Sequence, residues 1–395
     1  MSITNRNRNH MDSCRGIINK IGYSYNDLKI VPAVISDIES RKECNPYIDG
    51  MLPIFASPMG SVIDDTNWRT FLNNRINVVI PRTIRLEERL DILWYTCGNE
   101  SRHKPFVAFS LAEAEKYILN DDRINDSEYI EDGDQLRVCI DLANGHMRKL
   151  LNLIKDIKNK FGDKVLVMSG NIANPKAYRA YNDAGCDYVR VSIGTGSACL
   201  TASNTGVYYP PFSLLMEINE IRKECYGKCK VIADGGIKGF RDIQKALIYA
   251  DYVMIGGLFN KCIESSGITT YGKSWFNIGH FKIRNYIVDL FRVGKPIRPI
   301  QYYDVMKLVK LGLLEINKMF YGMSTKYAQI ETQSNQNLKT SEGLIKTQKV
   351  EYTLKQWVDN EESYLRSAMS YTNSFTLDDY KESQWVRING ITHNK

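Results

Sequence analysis

Eight short apolar runs dominate this chain and leave few folds open to it. They are Leu52–Met59, Asn77–Thr83, Pro105–Ser110, Leu136–Leu142, Lys164–Gly170, Tyr188–Gly194, Lys230–Gly236 and Tyr252–Gly257, and their starts lie 22 to 42 residues apart. Each is rich in β-branched residues and ends in small or polar ones. Helical patterns fill the gaps, such as Met147–Phe161, with apolar residues at 147, 150, 151, 154 and 157, and Pro175–Ala184. Continuous apolar strands alternating with helices predict a parallel sheet covered on its faces. Eight such units match the (β/α)8 barrel, which usually spans roughly 250 residues. The expected fold is therefore α/β, a (β/α)8 TIM barrel in one domain over 26–395, preceded by a polar arm over 1–25.

Composition narrows the setting. The chain is 43% hydrophobic and 25% charged, which excludes a disordered polypeptide. No apolar run approaches the roughly 18 residues of a membrane span, and the first ten residues lack the apolar core of a secretory signal. The nine cysteines (Cys14, Cys44, Cys97, Cys139, Cys186, Cys199, Cys225, Cys229 and Cys262) are scattered, with no metal-ligand spacing. Free thiols in a reducing, cytoplasmic compartment are the simplest expectation.

In a (β/α)8 barrel, chemistry sits where strands end. Here those ends are Ser57-Pro-Met59, Asp141-Leu-Ala-Asn-Gly-His146, Ser169-Gly-Asn171, Gly194–Thr201, Asp234-Gly-Gly236 and Gly256-Gly257. Tight turns alone explain one or two glycine-rich ends, not six. The richest is Gly194-Thr-Gly-Ser-Ala-Cys199-Leu-Thr201. Its glycines let backbone approach a ligand closely, and successive N–H groups in such a turn suit phosphate. Cys199 then stands where a nucleophile would, with Thr201 in reach. Taken alone, the loop reads equally well as a strand-to-helix turn with a packed cysteine. Asp234 can accept two hydrogen bonds from a sugar diol or cap a helix. Gly256-Gly257 closes the last strand, where barrels often hold phosphate. Together these ends suggest a nucleoside monophosphate lying across the barrel.

Ala56-Ser-Pro-Met59, Asp141–His146, Gly170-Asn171, the Gly-x-Gly-Ser-x-Cys-x-Thr loop, Asn204-Thr-Gly-Val207, Ala233–Gly236, Val253–Gly257, Phe320-Tyr-Gly-Met-Ser324 and Ser341-Glu-Gly343, in that order, resemble the IMP dehydrogenase / GMP reductase family from Ile30 to Tyr371. Two features favour the reductase. The segment from Arg82 to Leu136 leaves no room for the dehydrogenases' regulatory domain, and residues 328–347 contain no arginine to activate water. The resemblance implies reductive deamination of GMP to IMP and ammonia with NADPH. Cys199, Thr201 and Glu342 would be catalytic. Ser57, Met59, Ser197, Asp234, Gly235, Gly236, Gly256, Gly257, Tyr321, Gly322, Met323, Ser324 and Gly343 would hold the nucleotide. Asp141, Asn144, Gly145, Lys339, Ser341, Ser367 and Tyr371 would meet the cofactor, the last two across a subunit boundary in a homotetramer. Carbonyls of Gly194, Gly196 and Cys199 would hold a monovalent cation such as K+. The alternatives are oxidation of IMP to XMP with NAD, and a non-catalytic nucleotide sensor.

The chain also departs from the family pattern. Thr195, Leu200 and Ala202 replace the usual proline, threonine and arginine of the cysteine loop, and Lys339 stands where the reductase flap often has arginine. These changes suggest a shifted substrate such as a deoxynucleotide. Residues 268–318 form an insertion, with helical spacing over Tyr302–Lys318, ahead of a flap over 324–350. The insertion carries nine Lys/Arg against three acids, six of the net +7. Interleaved aromatics raise nucleic acid as a partner, but a solvated face at a subunit contact is the favoured reading. His146 is expected to be structural, Cys139 and Cys186 to be packing residues, and Glu331 and Glu351 to be solvated.

Overall fold

The computed structural model describes residues 21–97, 103–126, 130, 134–271, 299–312, 314–332, 340 and 343–388. Its centre is a closed parallel barrel. In chain order the strands are β1 (Leu28–Ile30), β2 (Ile54–Ala56), β3 (Asn77–Ile80), β4 (Phe106–Phe109), β5 (Leu136–Asp141), β6 (Val165–Ile172), β7 (Tyr188–Val191), β8 (Lys230–Asp234) and β9 (Tyr252–Ile255), then β10 (Thr269–Tyr271), β11 (Ile316–Tyr321), β12 (Ile345–Lys349) and β13 (Trp385–Arg387). Strands β2 to β9 form the barrel, and β2 closes it by pairing with β9. All eight apolar runs supply one barrel strand each, so the expected (β/α)8 fold is the one observed.

The interior is layered, as two-residue periodicity requires. Phe55, Phe106, Tyr188 and Tyr252 meet edge to face or tilted near the strand starts, with centroids 5.2 to 6.3 Å apart. Val79, Ala108, Cys139, Met168, Ile232 and Met254 continue the same interior cluster. Polar side chains begin only beyond it. Outside, Arg148–Phe161 buries Leu150, Leu153, Ile154, Ile157 and Phe161 on one face, the spacing expected of an amphipathic helix. The long helix Leu354–Tyr371 lays Trp357 against Phe259 and Phe240, at 4.6 and 5.4 Å. Burying one such aromatic contributes about 3 kcal/mol.

Two smaller sheets flank the barrel. β1 pairs with β13, joining the two ends of the described chain, and β10, β11 and β12 form an antiparallel sheet. Three expectations change here. The 1–25 arm is not wholly a surface element: Tyr25 is buried against Phe212, and its carbonyl accepts from Lys245 Nζ at 2.6 Å, while residues 1–20 lie outside the described residues. The Tyr302–Lys318 helix instead spans Pro299–Lys310. It stops because Gly312 takes φ +70°, a left-handed position suited to a helix end. The chain then extends as β11, and Lys318 is buried beside Ile316 with Nζ donating to the carbonyls of Ile263 and Ser265. Lys318 therefore leaves the basic strip. Most of that strip, 272–298, lies outside the described residues. Glu331 and Glu351 are exposed as expected, yet both are partnered, by Tyr321 Oη and by Lys261.

Candidate active site

The strand ends converge on one cleft of about 310 Å³. It is lined by Ser57 and Met59 beyond β2, Arg82 beyond β3, Asp141 from β5, Asn171 from β6, Arg190, Ser192 to Cys199 and Thr201 around β7, Asp234 to Gly236 at the end of β8, Gly256 and Gly257 beyond β9, and Phe320 and Gly322 to Ser324 at the end of β11. A volume near 300 Å³ is that of a small-ligand site.

The cysteine loop is shaped by close approach. A side chain at Gly194 would lie 2.7 Å from Ala202 Cβ, so that glycine and the small Ala202 fit together. The backbone N–H of Cys199 donates to Gly196 O at 3.0 Å, and Cys199 Sγ donates to Thr201 Oγ1 at 3.2 Å. Thr201 opens the short helix Thr201–Thr205, which Gly206 ends at φ +72°. Cys199 forms a backbone bridge with Gly343, and Leu344 N donates to Ala198 O at 2.9 Å. Part of the segment expected as the flap, at Gly343 and Leu344, is thus tied to the loop that carries the thiol. Glu342, Ser341 and Lys339 lie outside the described residues.

Opposite the thiol is a charged cluster. Arg190 points into the barrel from β7, two residues beyond Tyr188. Its Nη1 donates to Asp141 Oδ1 at 2.6 Å and its Nε to Asp234 Oδ2 at 2.9 Å. Arg82 Nε reaches Asp141 Oδ2 at 3.3 Å, and Asn171 Nδ2 donates to Asp234 Oδ2 at 2.8 Å. Burial alone would raise the Asp141 carboxyl, but the Arg190 and Arg82 guanidiniums outweigh it and hold the carboxyl below its ordinary value. Burial likewise opposes the Arg190 charge, and Asp234 and Asp141 more than restore it. A buried cation stays charged only when paired in this way. The cluster therefore presents the ionised Asp141 carboxylate to the cleft.

Ser197, Gly256 and Gly257 form a second corner. A side chain at Gly257 would lie 3.1 Å from Ser197 Oγ, and one at Gly256 would lie 2.8 Å from Met59 Sδ. Lys346 Nζ of β12 donates to Ser197 O, and Gln348 of the same strand has its amide nitrogen near Gly257. This corner combines bare backbone, a hydroxyl and a cation, the groups that hold phosphate.

Several expected residues stand elsewhere. Tyr321 does not line the cleft: its neighbour Phe320 does, and Tyr321 Oη donates to Glu331 at 2.8 Å on the other side of β11. Asn144 is exposed and receives the N–H of His146 at 3.0 Å, while Gly145 is buried beneath Asn171, donating to its carbonyl at 3.0 Å. His146 Nε2 accepts from Ala173 N at 3.0 Å, a structural role. Ser367 accepts from Arg41, and Tyr371 is 71% exposed at the end of its helix, neither in this chain's own cleft. Arg190, Arg82, Ser192 and Lys346 were not singled out from sequence, and Asn171 was named only as part of a strand end, without a role. For Arg190 a signal existed: an arginine within the apolar run Tyr188–Ile193, in phase with the inward Tyr188.

Fold and cleft define a class: a (β/α)8 protein with a thiol loop facing a charged strand-end cluster. The comparisons narrow it. The model for the IMP dehydrogenase / GMP reductase domain matches residues 119–277, which include Cys199 and Asp234. The chain is 31% identical over 262 residues to a GMP reductase of Staphylococcus saprophyticus, covering 62% of this chain and 73% of that protein. It is 29% identical over 255 residues to one of Oceanobacillus iheyensis, with the same coverage. The chain belongs to the IMP dehydrogenase / GMP reductase family.

Proposed function

We propose that the protein catalyses the NADPH-dependent reductive deamination of GMP, or a close guanine nucleotide, to IMP and ammonia. The observation that carries this reading is the thiol of Cys199, hydrogen-bonded to Thr201 and bridged to Gly343, across one cleft from the Asp234 carboxylate. Cys199 Sγ attacks C2 of the purine, forming a C–S bond. The exocyclic amine leaves from C2 as ammonia and needs a proton, which Thr201 relays with Glu342. When bound, the dihydronicotinamide supplies a hydride. Cys199 holds C2 in place for its arrival and departs as thiol when IMP is released.

The remaining groups bind and orient. Asp234 accepts the ribose diol. Ser197, Gly236, Gly256 and Gly257 take the phosphate, with Lys346 at the rim. Ser57, Met59, Gly235 and Gly322 to Ser324 enclose the nucleotide. The residues present fit a nicotinamide nucleotide, because the cleft continues past Cys199 to Asp141, Leu142 and Ala143, with Asp141 ionised. The turn carbonyls of Gly194, Gly196 and Cys199 would hold K+, an oxygen-seeking ion. Among the described residues no cluster of three His, Cys, Asp or Glu suits a metal ion, and no helix is long and apolar enough to cross a membrane. Exposed Tyr371 fits the reading that it serves a neighbouring subunit of a tetramer.

One assay separates this reaction from its alternatives. Loss of NADPH absorbance with GMP, matched by ammonia release, supports it. Formation of NADH from IMP and NAD supports the dehydrogenase direction, and nucleotide binding with neither supports a sensor.

A further inference from the structure

Ser192 is the first residue beyond β7, two before the cysteine loop begins at Gly194, and its backbone conformation is unusual for a residue with a side chain. Its φ is +113°, a region that side chains rarely adopt. Every polar group of the residue is used. Its N–H donates to Ile172 O at 2.8 Å, and its carbonyl accepts from Asn171 Nδ2 at 3.0 Å, the amide that also donates to Asp234. Its hydroxyl shares a hydrogen bond of 2.5 Å with Thr195 Oγ1. Glycine would take this backbone freely, so a serine here is explained by what its hydroxyl does.

Thr195 extends the connection. Its carbonyl accepts from Gly236 N at 3.1 Å. Its Oγ1 lies 2.5 Å from the place a side chain at Gly235 would occupy, and Gly235 and Gly236 themselves sit at φ +110° and +78°. The loop bearing Cys199 and the loop bearing Asp234 therefore interlock through Thr195, and Ser192 anchors that lock to the end of β7. Ser192, 4% exposed, and Thr195 both line the cleft.

We propose that the Ser192–Thr195 hydroxyl pair is a positioning device that holds the thiol of Cys199 in register with the Asp234 subsite. This rests on Cys199 being the reacting thiol. Neither hydroxyl takes part in bond making. Each acts through the loop it fixes, and the two act as one unit. Small misplacements of a reacting group can cost up to about a hundredfold in rate, whereas ribose and phosphate contacts remain.

The test uses the full-length protein and the variants S192A, T195V, their double, T195S and S192G. Three quantities are measured: kcat and KM with GMP and NADPH, the rate of Cys199 alkylation by iodoacetamide read by mass spectrometry, and Tm. S192A and T195V should each lower kcat by about tenfold with KM nearly unchanged. The double variant should fall no further than the worse single one, and T195S should keep near-parental kcat. The alkylation rate should shift in each single variant and no further in the double. S192G is the sharpest variant. Relief of the positive φ should raise Tm while loss of the hydroxyl lowers kcat, whereas a merely structural role moves both in one direction. Additive losses, an unchanged kcat, a loss carried by KM alone, or Tm and kcat of S192G moving together would overturn the proposal. If the parent protein fails to turn over GMP, the proposed reaction is at fault, and alkylation and Tm still decide the role of the pair.

Discussion

The two ends of the barrel are built from the same strands and are opposite in character. Near the strand starts, Phe55, Phe106, Tyr188 and Tyr252 close the interior with aromatic rings. Near the strand ends, Asp141, Arg190 and Asp234 fill the corresponding space with charge. On β7 the change takes two residues, from Tyr188 to Arg190. One end gains by excluding water, and the other tolerates burial because each charge is paired and the cleft opens to ligand. A stability role and a binding role are thus separated along single strands, as expected where barrel chemistry is confined to one face.

That separation can be broken deliberately. The largest expected effect is at the chemical end. Cys199→Ala should reduce turnover by about 10⁴-fold or more while equilibrium binding of GMP, followed by calorimetry, persists. At the closed end, Tyr188→Ala should cost about 3–4 kcal/mol of stability in denaturant unfolding and leave KM for GMP near its parental value. Asp234→Asn should do the reverse. It weakens the ribose contact and leaves Arg190 less compensated, so KM should rise by about ten- to a hundredfold, for a loss of about 1–3 kcal/mol. A Tyr188 variant that changes KM, or an Asp234 variant that changes only stability, would contradict the division.

A smaller effect compares two buried carboxyls. Asp141 is compensated and stays ionised, whereas Glu361, on the outer helix, has one hydrogen-bond partner among the described residues, Gln244, and its buried Oε2 has none among them. Burial pushes the Glu361 carboxyl up from 4.5 to about 8. The folded state then holds its proton more tightly than the unfolded one. This contribution to stability is fully present below about pH 4.5 and is lost as pH rises through about 8. Glu361→Gln should flatten that part of the curve of stability against pH. An unchanged slope would show that Glu361 is not the titrating group.

Much of this was legible in sequence. The eight apolar runs became eight barrel strands because a strand covered on both faces must be apolar almost throughout. The polar, glycine-rich ends became the cleft because the fold collects strand ends. What sequence obscured was direction within a strand. Tyr321 was expected to hold the nucleotide, but its neighbour Phe320 faces the cleft, and Tyr321 turns to Glu331. Lys318 fell on a helical spacing yet belongs to β11, where it is buried among carbonyls. Tyr25 sat in a polar stretch and is part of the core. Ser192 looked unremarkable, since neither a backbone dihedral nor a partner three residues away shows in composition. Arg190 was readable by its phase with Tyr188.

The most direct test is the stoichiometry of the reaction. Purified protein is mixed with GMP and NADPH, and NADPH absorbance and ammonia are followed together. The account predicts one ammonia released for each NADPH oxidised, with neither change in Cys199→Ala. Sustained NADPH oxidation by the Cys199→Ala protein, or no oxidation by the parent with any guanine nucleotide, would contradict it.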